Sequence, residues 1–173
     1  MQDLARRDFS RADLRGWDLT GAQLQYAVFR GATLQGVSLR RADARGAIFD
    51  LADLTGADLT EALLQGARFR QATLRRAVFR QALLLSAHLE GASVREADFT
   101  GTNLEWAWVT GVDFQQATVS CALFLNVRGL AEEMRRVLEA GGGFTGARPM
   151  ILGRELYETS STAASSALEP RAS

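Results

Sequence analysis

A chain of 173 residues, 47% of them apolar, suits one domain with a continuous core and leaves no room for a second. Its 20 bases, every one an arginine, balance 20 acids, so net charge makes no general case for nucleic acid or an anionic membrane as partner. A single cysteine excludes an internal disulfide and agrees with a reducing cytoplasm. With no apolar leader and no run of 18 apolar residues, a soluble, unexported, cytoplasmic protein is expected.

From Gln2 to Asn126 every fifth residue is apolar, beginning Leu4, Phe9, Leu14, Leu19, Leu24 and ending Phe114, Val119, Phe124, in 25 consecutive units. Two positions earlier stands a small residue, Ala in 19 of the 25 units. A helix would smear a period of five around its surface, and a strand would throw an odd period to alternate faces. Neither can bury this row. A chain that turns after every unit can, because each central residue and the small residue before it then point at one axis. Phe9, Phe29, Phe49 and Phe69 recur at twenty-residue steps, which stacks like on like if four units close one square coil.

Units such as Ala12-Asp13-Leu14-Arg15-Gly16 and Ala57-Asp58-Leu59-Thr60-Glu61 make residues 2–126 resemble the pentapeptide repeat family. The resemblance implies an all-β solenoid, a right-handed quadrilateral parallel β-helix, with the central residue and the preceding Ala inside. Twenty-five units at four per coil give about six coils and, at about 4.8 Å per coil, a rod of about 30 Å. Burial of one Leu or Phe contributes about 1.5–3 kcal/mol, whereas ordering five backbone residues costs about 5–10 kcal/mol. A lone unit cannot fold, and stability accumulates only by stacking.

The expected organisation is a β-helix over residues 1–126, a capping helix within 127–143, a docking segment over 144–157 and a disordered tail over 158–173. In the first coil Gln2, Arg7 and Trp17 take positions where Ala is expected, which suits an open core end with Trp17 as a lid. Gly16, Gly21, Gly31 and their successors mark corners that benefit from a residue without Cβ. Ala44 is the one undersized central residue, and a small gap or inward collapse is expected there. Arg68, Arg70, Arg75, Arg76 and Arg80, with no acid among them, predict a basic band about one coil high.

Grouping units by four puts Leu63, Leu83, Leu85, Leu123, Leu125, Tyr26 and Trp106 on one side, and Val28, Ile48, Leu51 and Trp108 on the next. Exposed apolar residues in that number mark an interface or a surface covered by the C-terminal segment. After Asn126 the frame breaks at Gly129. Leu130, Met134, Val137 and Leu138 follow helical spacing, with Glu132 and Glu133 in the first turn and a glycine stop after Ala140. Such a helix would close the end of the core and shield its strand edges. Phe144, Met150, Ile151, Leu152, Leu156 and Tyr157 are apolar enough to dock on the apolar sides.

No residue set points to catalysis, a metal or a cofactor. The G-x-G-x-x-G spacing of Gly141, Gly143 and Gly146 follows a helix rather than a strand, and His88 and Cys121 fall on different sides. Asp3, Asp8, Asp13, Asp18, Asp43, Asp53, Asp58, Asp98 and Asp113 all precede a central residue, where a carboxylate serves the turn backbone. The function expected is a non-catalytic protein–protein interaction scaffold binding through Leu63, Leu83, Leu85, Trp106 and Trp108. The family resemblance implies an alternative, since some pentapeptide repeat proteins imitate duplex DNA, bind DNA gyrase and protect it from poisons. Residues 1–126 carry 14 arginines against 14 acids, which suits a DNA mimic poorly. The resemblance also implies homodimerisation through the C-terminal end. A purely structural role in a larger assembly is the third class.

Overall fold

The computed structural model describes residues 2–145. Within them each five-residue unit from Leu4 to Val119 closes a β-turn: the carbonyl of the central residue accepts the amide three residues on, as Leu24 does from Ala27 at 3.0 Å. The turn's third residue has positive φ, as a type II turn requires. From Arg6 to Asn126 every such corner does so except Gln116, and 14 of these corners are not glycine. A non-glycine residue in that region costs about 1 kcal/mol. The coil imposes the conformation regardless of residue type.

Successive coils pair in parallel at twenty-residue steps, from Asp3 with Gln23 to Trp108 with Arg128. Pairing involves single residues, because each side is straight for only two or three residues before the next corner. The β-helix therefore consists of isolated parallel bridges rather than long strands. Four sides result, here numbered one to four from the units centred on Leu4, Phe9, Leu14 and Leu19. The core is the file of central residues with the alanines between them, nearly all without exposed surface. On side two the rings of Phe9, Phe29, Phe49 and Phe69 stack with centroids 5.1, 4.9 and 4.9 Å apart, and Phe79 stacks on Phe99 on side four at 4.9 Å. The spacing of twenty read from the phenylalanines is thus the coil repeat. Ala44 is buried between Leu24 and Leu64.

Bridging continues to Arg128, two residues past the point where the five-residue pattern loses its apolar centre, because backbone pairing needs no particular side chain. Helix α1, Glu132–Ala140, follows. It starts later than Leu130 because Ala131 is still extended (φ −69°, ψ 147°). Leu138 enters the core, and Leu130 and Met134 pack against it. The chain then returns to side one, where Phe144 pairs with Leu123 and exchanges backbone hydrogen bonds with Phe124 (2.7 Å) and Ala122 (2.8 Å). The docking segment and tail expected beyond this point lie, from residue 146 on, outside the described residues.

The coil is irregular at one place. The amides of Val94 and Asp113 lack the inter-coil bonds that their counterparts on side three make, and no bridge joins Ser93 to Asp113. A cavity of about 460 Å³ opens there, lined by residues that include Ser93, Arg95, Gly111, Asp113 and Gln116. Volume accounts for it. Val112 takes a position held by alanine in most coils, and Phe114 stands where side three otherwise has Leu or Val, edge-on to Phe99 and Phe124. Val37 is accommodated without disruption beside Leu39, so the pair Val112 and Phe114 is what overfills the coil.

Candidate interaction surfaces

Residues before and after each central residue point outward, and the coil repeat files them into columns. Side one carries Leu63 paired with Leu83, then Asn103, Leu123 and Phe144, in one bridged column. Leu85 and Leu125 stand beside it. The leucines are half-buried, each shielded by the coils above and below, whereas Trp106 at the corner is 47% exposed and Phe144 42% exposed. Phe144, whose membership of this column depends on the chain's return after α1, extends the apolar surface to the end of the coil.

Trp108 is separate from that surface. It lies on side two, half-buried, with His88 stacked on one face at a centroid distance of 5.7 Å and the guanidinium carbon of Arg128 4.6 Å from its ring centre. Of the five residues expected to bind a partner, Leu63, Leu83, Leu85 and Trp106 lie on side one and its corner and Trp108 on the next side, where the grouping by four put them.

The five arginines of the expected basic band occupy outward positions, but four are paired. Arg68 bonds the Asp50 carboxylate, Arg70 reaches Glu90 at 3.2 Å, Arg76 reaches Glu96 at 2.6 Å, and Arg80 reaches Asp98 at 2.5 Å. The Arg76 pair holds Glu96 below the ordinary carboxylate range and raises Arg76 in turn. Only Arg75 among the five lacks a described ion pair, so the band is largely neutralised. The partners lie at two separations. Corner residues meet at twenty, as in Arg41 with Glu61 (2.7 Å), while a residue after one centre reaches diagonally to the residue before the next at eighteen, as in Arg40 with Asp58 (2.8 Å).

All nine aspartates that precede a central residue accept the amide two residues on, which is the turn role expected of them. For Asp53, Asp58 and Asp98 burial pushes the carboxyl up, but bonds from the following Thr hydroxyl and amide, with Gln35, Arg40 or Arg80, outweigh it and hold each below its usual value. Asp43 is lowered chiefly by the Arg45 guanidinium. These carboxylates are committed to structure. Among the described residues no three His, Cys, Asp or Glu side chains gather as a metal site, and no helix is long and apolar enough to cross a membrane.

Sequence reasoning passed over Asp50. It follows Phe49, outside the usual aspartate position, and at 5% exposure it is one of the few buried polar residues. It accepts from the Arg68 side chain and the Arg70 amide (3.2 Å). A search for opposite charges eighteen apart would have found it.

A square coil of five-residue units, stacked in parallel and presenting flat ladders of side chains, defines a β-solenoid repeat protein. The chain belongs to the family described as pentapeptide repeats, which matches it in eight copies over residues 3–36, 12–50, 22–60, 52–84 and 79–116. Members of that family form right-handed β-helices and are generally structural or interaction proteins. Solved structures similar to this chain include HetL, a pentapeptide repeat protein involved in heterocyst differentiation regulation in the cyanobacterium Nostoc sp. strain PCC 7120 (28% identity, 71% of this chain and 60% of that one, TM-score 0.37). A pentapeptide repeat protein of the Arabidopsis thaliana thylakoid lumen is 30% identical over 86% of this chain and 81% of its own, with TM-score 0.37. QnrB1, a plasmid-mediated fluoroquinolone resistance protein, is 17% identical over 99% and 91%, with TM-score 0.47. The chain thus spans about 60% of the length of HetL. No curated protein sequence matches it significantly.

Proposed function

We propose that the chain is a non-catalytic, cytoplasmic interaction scaffold, a rod of about six coils closed at one end by α1, which binds a protein partner through the apolar part of side one. The observation that supports this reading is the bridged column Leu63, Leu83, Leu123 and Phe144, interrupted only by Asn103, with exposed Trp106 at its edge. Apolar surface with an aromatic anchor on a rigid support is what protein interfaces use. Leu83→Ser with Trp106→Ser tests it by affinity capture against the unchanged chain. Loss of the captured partner with an unaltered circular dichroism spectrum supports the reading, and equal recovery by both proteins overturns it.

A second reading is binding to DNA gyrase, supported by the rod geometry of the square coil and by family membership, while the absence of interrupting loops weighs against it. The paired charges weigh against imitation of DNA. A supercoiling assay with purified gyrase, with and without a gyrase poison, decides it: inhibition or rescue at low micromolar protein favours gyrase, and no effect leaves side one as the lead. Self-association through the C-terminal end, where Phe144 is exposed, would appear as a concentration-dependent mass in sedimentation.

A further inference from the structure

Side two carries a second surface of different chemistry, independent of the side-one reading. Arg68 and the Arg70 amide occupy the Asp50 carboxylate, which leaves Arg30 3.8 Å away, beyond hydrogen-bond distance, and its side chain 56% exposed. Arg70 divides between Glu90 at 3.2 Å and His88 Nδ1 at 3.1 Å. Arg30, Asp50, Arg68, Arg70 and Glu90 border a cavity of about 340 Å³ with Leu51 on its rim, and Leu51 is 58% exposed. Further along the same side stands Trp108, half-covered by Arg128.

The charges here do not cancel. Among the described residues, the coils from Arg30 to Arg128 place four arginines on side two against two acids, Asp50 and Glu90, and both acids are engaged by the two central arginines. The cationic surplus therefore sits at the two ends, on Arg30 and Arg128, each with an exposed or half-exposed apolar side chain close by. About five coils separate the two, or about 24 Å, the reach of seven or eight extended residues.

We propose that side two docks an acidic, apolar-interleaved peptide segment of a protein partner, with carboxylates taken by Arg30 and Arg128 and apolar side chains by Leu51 and Trp108. Arginine pairs carboxylates in two-pronged fashion, and Arg and Trp are the residues that dominate binding energy at interfaces. Duplex DNA fits less well, because a phosphate backbone needs an unbroken run of cations, and here two carboxylates stand between Arg30 and Arg128.

The test uses the full chain and a fluorescein-labelled eight-residue peptide alternating Asp or Glu with Leu and Phe, titrated by fluorescence anisotropy. His88, the single histidine, lies between the two end cations, so its imidazole NMR signal reports where the peptide sits. The expected result is saturable binding, a shifted His88 signal, a loss of about tenfold or more in Arg30→Glu/Arg128→Glu, and no change in Leu83→Ser/Trp106→Ser. If the double variant misfolds, Arg30→Gln alone must still weaken binding. No saturation by about 1 mM peptide, an unmoved His88 signal, undiminished binding by the arginine variants, or tighter binding of a 12-base-pair duplex than of the peptide overturns the proposal.

Discussion

The amide of Glu96 donates to the carbonyl of Gln116 at 3.1 Å, twenty residues ahead, whereas every other corner amide from Arg6 to Trp106 reaches nineteen ahead. The slip marks where Val112 and Phe114 overfill the coil, and the open amides of Val94 and Asp113 are its cost. Hydrogen exchange monitored by NMR should find those two amides exchanging faster than the paired amides of Leu74 and Asp98. Val112→Ala with Phe114→Leu should slow them. Unchanged exchange in that variant would mean that side-chain volume is not the cause.

Asp50 should be the most sensitive single carboxylate of the rod. Asp50→Ala strips the Arg68 side chain and the Arg70 amide of their acceptor at a site with little access to water, and should cost about 1–3 kcal/mol. Asp113→Ala, which removes one exposed turn bond, should cost less than about 1 kcal/mol. Urea unfolding of the two variants gives the comparison.

Two glycine corners separate backbone strain from side-chain crowding. Gly66 has φ +66° and nothing near an added Cβ, so Gly66→Ala should cost about 1 kcal/mol from conformation alone. Gly46 has the same φ, but an added Cβ would stand 2.6 Å from the Tyr26 ring. Gly46→Ala should therefore either lose more in thermal denaturation or displace Tyr26, visible in its aromatic NMR signals.

Acid should loosen the rod before it affects the apolar surfaces. The carboxyls of Asp43, Asp53, Asp58 and Asp98 are lowered in the folded state. On acidification the unfolded chain takes up protons first, near its ordinary aspartate value of about 3.9. Their contribution is complete above that range and is lost as pH falls through it toward the lower folded values. Urea midpoints measured between about pH 6 and pH 3 should fall toward the acid end, and Asp53→Asn/Asp98→Asn should flatten the decline.

The period of the fold stood in the sequence because the core is one residue wide: every central position must be apolar, and the phenylalanines give the coil repeat directly. The turn role of the aspartates was equally local. Charge pairing was not, because Arg80 meets Asp98 and Arg68 meets Asp50 at a separation of eighteen, set by the offset between the position after one central residue and the position before the central residue one coil on. Phe144 joins Leu123 across twenty-one residues containing a helix, so no five-residue frame could place it. Trp108 looked like exposed apolar surface because its neighbours in space, His88 and Arg128, stand twenty residues away on either side.

The bridges that join the residue before a central position to its counterpart twenty ahead make insertions and deletions act in quanta. Removing twenty residues from the regular coils shortens the rod by one storey and leaves all four sides in line. Removing five preserves the core pattern, yet turns everything downstream by a quarter revolution. Leu83 and Phe144 would then no longer face the same way as Leu63, and Arg128 would leave the line of Arg30, in a protein whose core composition had scarcely changed.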